Sequence, residues 1–374
     1  MLSILSNWMI MGLLCGASGF ALLRGYHLVM NKLNEEEAAF DYGISHIIMA
    51  GIVATTLYAQ VFSIFYRVNA EAFLVLTAAC ILFLIWQRKA VTVYLTERLD
   101  EWKAVRQNGG KAAKWIKNGA WVVFLLALIA YACASCGQTK LIDTEWYHAQ
   151  TIRWFEEYGC VKGVANIFYS LGFNNAQHYF DALFGMDWLY GQSMRGSGGF
   201  FGILIFAHGL FRLSGWMKHE KHMADALAVG EITYSIIVTA FFTDPYVDTL
   251  PNVLVLFVLT EWFILLEKGS EKVRDYGLYS LFALFAVVAK TSVAMIVLLA
   301  FYPAFLMVKQ KKAKQIWMFL GMGFLLAVPY LITNFITTGY PVYLLASLGF
   351  PVKWQVNPEV LRYSVDNMVA FARM

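Results

Sequence analysis

The charges of this chain come in clumps, and between the clumps run apolar stretches of about 20 residues, the length that crosses the hydrocarbon core of a bilayer. No other feature restricts the fold as much. In lipid, a backbone satisfies its own N–H and C=O groups only as a helix or a closed barrel. Unbroken apolar runs are the helical form of that signal, because barrel strands alternate. Of the residues, 59% are hydrophobic and 14% charged, against about 25% charged in soluble domains. The chain therefore reads as an all-α polytopic transmembrane bundle. Ten spans are expected, at about 2–23, 43–66, 68–86, 119–136, 198–215, 225–242, 250–266, 276–289, 291–308 and 316–334. The eighth is short, and the eighth and ninth read either as two spans or as one kinked hairpin around Lys290.

Lys and Arg concentrate in cytoplasmic loops. Segment 87–118 carries eight of them, and the loops near 218–221, 268–274 and 309–314 are also basic. With ten alternating spans, these loops and 24–42 share one side, the cytoplasmic one. Segment 137–197 and the tail after 334 then lie outside. Residues 1–23 have no basic residue in front, unlike a secretory signal, and read as a first span with its N-terminus outside. Val91, Tyr94, Leu95, Leu99 and Trp102 recur at helical spacing among charges, so 87–118 reads as an interfacial helix. The organisation expected is a three-span segment with that helix over 1–118, followed by a core over 119–374. The net charge of +4 reflects the basic loops rather than a nucleic-acid surface. Cys133 and Cys136 form a C-x-x-C without a second pair, which does not make a zinc site.

The long segment 137–197 holds most of the candidate chemistry. Asp143 opens Asp-Thr-Glu-Trp-Tyr-His and reads either as a helix N-cap or as a reactive carboxylate. Helical spacing puts Tyr147, Gln150 and Trp154 on its face, and Gly159 ends that helix. Glu145 suits the first turn through the helix dipole. His148 and Arg153 are anion-binding candidates or solvated groups. A second aromatic helix is expected near 176–190, with Asp181 and Asp187. Asp244 and Asp248 flank the next loop on the same side, each a turn or cap residue by position. Lys290, followed by Thr291 and Ser292, either snorkels to the interface or binds phosphate. Glu231, His46 and His208 are polar residues inside the spans, scattered among apolar neighbours.

Acidic residues opening a large external loop, an interfacial helix after them, many spans and a cation near the outer leaflet together resemble the GT-C integral-membrane glycosyltransferases. More narrowly, residues 143–159, Leu-Gly-Phe-Asn-Asn at 171–175 and Asn-Phe-Ile-Thr-Thr-Gly-Tyr-Pro-Val-Tyr at 334–343 look like a group of bacterial multispanning proteins related to that class. The resemblance implies an inverting transferase of the bacterial cytoplasmic (inner) membrane. Its donor would be a sugar on a polyprenyl phosphate, and its acceptor an envelope glycan or a lipid. It makes Asp143 the base and Glu145 its neighbour. Lys290 and Arg195 become phosphate ligands by charge and side, and Asp248 orients sugar or acceptor. Tyr147, His148, Arg153, Asn174 and Asp244 complete the expected substrate site. Mg²⁺ or Mn²⁺ suits a carboxylate pair such as Asp143 and Glu145 beside phosphate oxygens. A transporter or flippase of a lipid-linked glycan and a non-catalytic scaffold of an envelope-assembly complex are the alternatives.

Overall fold

In the computed structural model, residues 1–34, 39–108, 110–343 and 345–372 are described. Fifteen α-helices and no strands occur among them. They are α1 (Leu2–Asn34), α2 (Ile44–Phe65), α3 (Ala70–Trp86), α4 (Arg88–Asn108), α5 (Lys111–Ala134), α6 (Ala149–Tyr158), α7 (Ala176–Gly185) and α8 (Asp187–Tyr190). After these come α9 (Ser197–Leu213), α10 (Met223–Val238), α11 (Thr249–Glu267), α12 (Val273–Ala289), α13 (Phe301–Lys309), α14 (Ala313–Thr338) and α15 (Pro358–Ala372). A 3₁₀ stretch over Thr291–Ala300 leads into α13, and a π-helical turn over Thr144–His148 leads into α6.

Among the described residues, seven helical segments are long and apolar enough to cross a membrane: Leu2–Leu33, Ile44–Phe65, Lys114–Ala134, Met223–Phe241, Thr249–Glu267, Thr291–Lys309 and Ala313–Thr338. That is fewer than the ten expected. α3 passes the same test only together with α4, from which it is bent by 81°. α9 and α12 are helical where spans were expected but have 17 residues each. α4 ends at Asn108 and Gly110 caps a new helix, so residues 111–118 start α5 instead of extending the interfacial helix.

Contacts sort the turns into two ends. At the loop end, Trp8 Nε1 donates to the Gly196 carbonyl, Cys160 N to that of Ser63, Lys140 N to Asp244, and Asn174 Nδ2 to Thr333 Oγ1. The basic segments gather at the other end, where Arg212 pairs with Asp225 and Glu267, and Arg98 with Asp41. One buried apolar cluster runs from Ile4 to Met307 and draws on residues from both sides of position 118.

Small residues set the closest approach. A β-carbon on Gly19 would lie 1.8 Å from the Ile47 carbonyl oxygen, and one on Gly51 would lie 1.8 Å from that of Cys15. α1 and α2 therefore touch backbone to backbone, as small residues permit in membrane bundles. At the loop end, Gly159 ends α6 with φ +74, and a β-carbon there would lie 2.6 Å from the Ser63 and Tyr66 carbonyl oxygens. The expected terminator is thus also the contact that seats α6 on α2.

Candidate functional site

Lys290 breaks the chain between two antiparallel rods. Its backbone is extended (φ −157, ψ 121), and Thr291 begins the next helical turn. The first N–H groups of a helix have no intrahelical acceptor and favour anions. The Lys290 ammonium pairs with the Asp248 carboxylate at the head of α11. Around this point lies a cavity of about 380 Å³. Lys290, Thr291 and Ser292 line one side, Tyr147, His148 and His178 another, and Asn174, Tyr330 and Tyr343 also face it.

α14 is shaped for this cavity. Pro329 inside it removes a backbone donor, and beyond it Asn174 donates to the Tyr330 carbonyl at 3.2 Å and to Thr333 Oγ1 at 2.8 Å. Asn174 Oδ1 accepts from the Tyr179 hydroxyl at 3.0 Å. Asn174 is therefore a wall residue held by α7 and α14, at the position where a ligand-binding residue was expected.

His148 Nδ1 lies 2.9 Å from His178 Nε2. Burial, helped by the nearby Lys290 charge, pushes His148 down to about 4. Burial also holds His178 well below the ordinary histidine range, with His148 and Lys290 adding to it. Both rings are neutral near pH 7, so one nitrogen of the pair donates and the other accepts. His178 Nδ1 has no partner. A buried lone pair is tolerated better than a buried orphan N–H. The favoured tautomers therefore have His178 Nε2 donating, which leaves His148 a donor at Nε2. The Tyr147 hydroxyl is held well above its usual range, first by burial and then by the charges of Asp143 and Asp248.

Asp143 and Glu145 are exposed and do not line the cavity. Asp143 also fails as an N-cap: its side chain makes no capping bond, because the chain enters the π turn already in helical conformation (φ −61, ψ −29). It lies one helical turn before Tyr147, which does line the cavity. Asp244 turns inward and is 1% exposed. It accepts from Lys140 N and Leu141 N at 3.1 Å and from Thr144 Oγ1 at 2.6 Å. With its lone pairs so engaged, it anchors the 140–144 turn, at a position where a substrate contact was expected. Among the described residues no three of His, Cys, Asp and Glu converge on a metal-sized site, so Asp143 and Glu145 gain no third such ligand.

Arg153 and Arg195 lie elsewhere, on a second cavity of about 160 Å³, which corrects their place in a single expected site. Arg153 pairs with Glu157 at 2.6 Å. The same cavity is lined by Glu156 and Asp181. Glu156 accepts from Ser193 Oγ at 2.7 Å and is pushed up to about 7 by burial. Asp181, 7% exposed, has no hydrogen-bond partner on either oxygen, and burial pushes it up to about 7 as well. Sequence reasoning noted Asp181 only as part of an aromatic helix and missed His178 and Glu156. No local pattern marks these residues, since His148 and His178 meet across 30 positions.

The whole chain, residues 1–374, matches the family described as domain of unknown function (DUF8201), and the chain belongs to that family. No curated protein and no solved structure matches it.

Proposed function

We propose that the protein is a multi-pass transferase of the bacterial inner membrane, of GT-C type, which moves a sugar from a polyprenyl phosphate to an envelope glycan or lipid acceptor on the outer face. In this reading all ten rods cross the bilayer, and the loop end faces outward by the distribution of Lys and Arg. The observation that carries it is the Lys290–Thr291–Ser292 helix start opening into an aromatic-walled cavity. A fixed ammonium, unpaired N–H groups and two hydroxyls make a seat for a phosphate. Tyr147, Tyr330 and Tyr343 offer faces to a sugar.

Asp143 takes the proton from the acceptor hydroxyl as that oxygen bonds to the anomeric carbon. The anomeric C–O bond to the phosphate breaks with inversion, and the bond electrons leave with the lipid phosphate. Lys290 and the His148 N–H oppose the charge that grows there. The test is transfer of labelled sugar from a polyprenyl-phosphate donor by protein in nanodiscs. Asp143→Asn should abolish transfer and Lys290→Met should weaken donor binding, with both proteins folding normally. Full activity of Asp143→Asn would remove the mechanism. The transporter reading draws its support from a different place, the ionisable cluster in the helical core.

A further inference from the structure

Five helices each send ionisable side chains to one point in the basic half of the bundle. His208 on α9 meets Glu231 on α10 through Nδ1 at 2.9 Å, and Glu261 on α11 through Nε2 at 3.0 Å. Glu231 also accepts from the Thr260 hydroxyl at 2.6 Å. The second oxygen of Glu261 accepts from the Tyr279 hydroxyl on α12 at 3.0 Å and lies 3.2 Å from Nε2 of His46 on α2. The Glu231 side chain is fully buried. Glycine permits the approach of α9 and α10: a β-carbon on Gly209 would lie 2.5 Å from the Ala228 carbonyl oxygen. These residues were expected to be scattered, and Glu261, the bridge between the two histidines, was not singled out.

Charge counting shows what such a cluster requires. His208 faces a carboxylate at each ring nitrogen. With both glutamates ionised, it satisfies them only as the imidazolium. Two carboxylates against one imidazolium leave one negative charge in an apolar interior, and an unbalanced charge there is costly. One further proton, on His46 or on a glutamate, cancels it. His46 Nε2 faces both Glu261 and the Tyr279 hydroxyl, but its Nδ1 is buried without an acceptor, and a proton there would be an orphan N–H, so a glutamate is the better seat.

The apolar and polar neighbours of the cluster lie toward opposite ends. The Phe257 ring, fully buried, packs against His46 and His208 at 5.3 and 4.8 Å, one turn from Glu261 toward the loop end. Toward the basic end, Glu261 lies six residues before the last residue of α11, about 9 Å of helix. Arg212 is one turn beyond His208 and pairs with Asp225 and Glu267. His219 and His222 bond to Asp225, and the His222 side chain is 54% exposed. Tyr42, just before α2, and Asp275 on α12 face Tyr279 from the same end, and Arg274 faces Tyr42. We infer that His46, His208, Glu231 and Glu261 form an intramembrane proton-binding site, loaded from the basic, cytoplasmic end of the bundle. A proton enters from water, no other bond changes, and the cluster passes from one net negative charge to none.

The test is infrared titration of the whole protein, carrying ¹³C-labelled glutamate, in lipid nanodiscs. As pH falls through the neutral range, wild type should gain a labelled carboxylic-acid band or a protonated-histidine signal. Glu261→Gln and His46→Gln should each shift its midpoint by about one unit or more, a tenfold change in proton affinity. Proton uptake, read with a dye confined to one side of oriented liposomes, should come from the basic end. A wild-type spectrum constant across that range would make the cluster a fixed ion-pair lock and overturn the proposal. Uptake from the loop end would overturn its sidedness. Both readouts use wild type, so a variant that fails to fold does not spare the proposal, and neither depends on sugar transfer.

Discussion

Asp181→Asn should flatten the pH dependence of stability at the loop end. Asp181 is 7% exposed with both oxygens unpartnered, and its carboxyl is raised from 3.8 to about 7. Burial is the main cause and the charge of Glu156 adds to it, while the nearby Ser197 and Gln177 side chains and the Arg195 charge oppose it without closing a well-aligned hydrogen bond. The folded state therefore holds a proton that the unfolded chain has already lost. Below about pH 4 both states are protonated, and the raised value costs nothing. Between about pH 4 and pH 7 the unfolded state binds fewer protons, so stability falls as pH rises. The fall totals roughly three units, or about 4 kcal/mol at 1.36 kcal/mol per unit, and is complete above the folded value. Asparagine is close in size and does not titrate. Equilibrium unfolding in mixed micelles, followed by tryptophan fluorescence from about pH 4 to pH 8, should show wild type losing stability relative to Asp181→Asn by about that amount. Parallel profiles would refute the reasoning: they would mean that Asp181 is ionised in the fold and has found a counter-charge.

Asp244→Ala should destabilise the loop end by about 3–5 kcal/mol, since it strips partners from two backbone N–H groups and the Thr144 hydroxyl in a buried place. Faster proteolysis within 137–148 is the accompanying readout. If His148 is a neutral donor pushed down to about 4, transfer should show no inflection near pH 6.5, and an inflection there that His148→Gln abolishes would contradict the neutral tautomer. Gly51→Val should prevent the α1–α2 contact, because its β-carbon would sit 1.8 Å from a backbone oxygen that no rotamer can move. Loss of the folded monomer peak in detergent, with Gly12→Ala unaffected in open space, is the check.

The helices were legible because lipid leaves a backbone little choice, and apolar length alone then marks the rods. Gly159 was legible for a similar reason, being local backbone chemistry. The span count was less so: α9 and α12 carry the right composition but stop at 17 residues, and where a rod ends depends on what caps and covers it. Asp244 shows the limit of positional reasoning. It lies on the same side as Asp143, yet it faces inward, because the Lys140 and Leu141 N–H groups and Thr144 converge on it from a hundred positions away. Arg153 and Arg195 share the sign of Lys290 and not its cavity.

By itself, the amino-acid order determined an all-helical chain with apolar rods, its basic segments collected apart from its acidic loop, and Lys290 at a break between rods. All of these depend on neighbours within about a turn or on composition over about 20 residues. Only the tertiary structure decided which polar groups meet. It joined His148 to His178, split the expected single site into two cavities, and gathered His46, His208, Glu231 and Glu261 from four helices. The physical reason is that a buried polar group must find a partner or a proton, and in a bundle the partner comes from another helix, at a sequence distance no periodicity encodes.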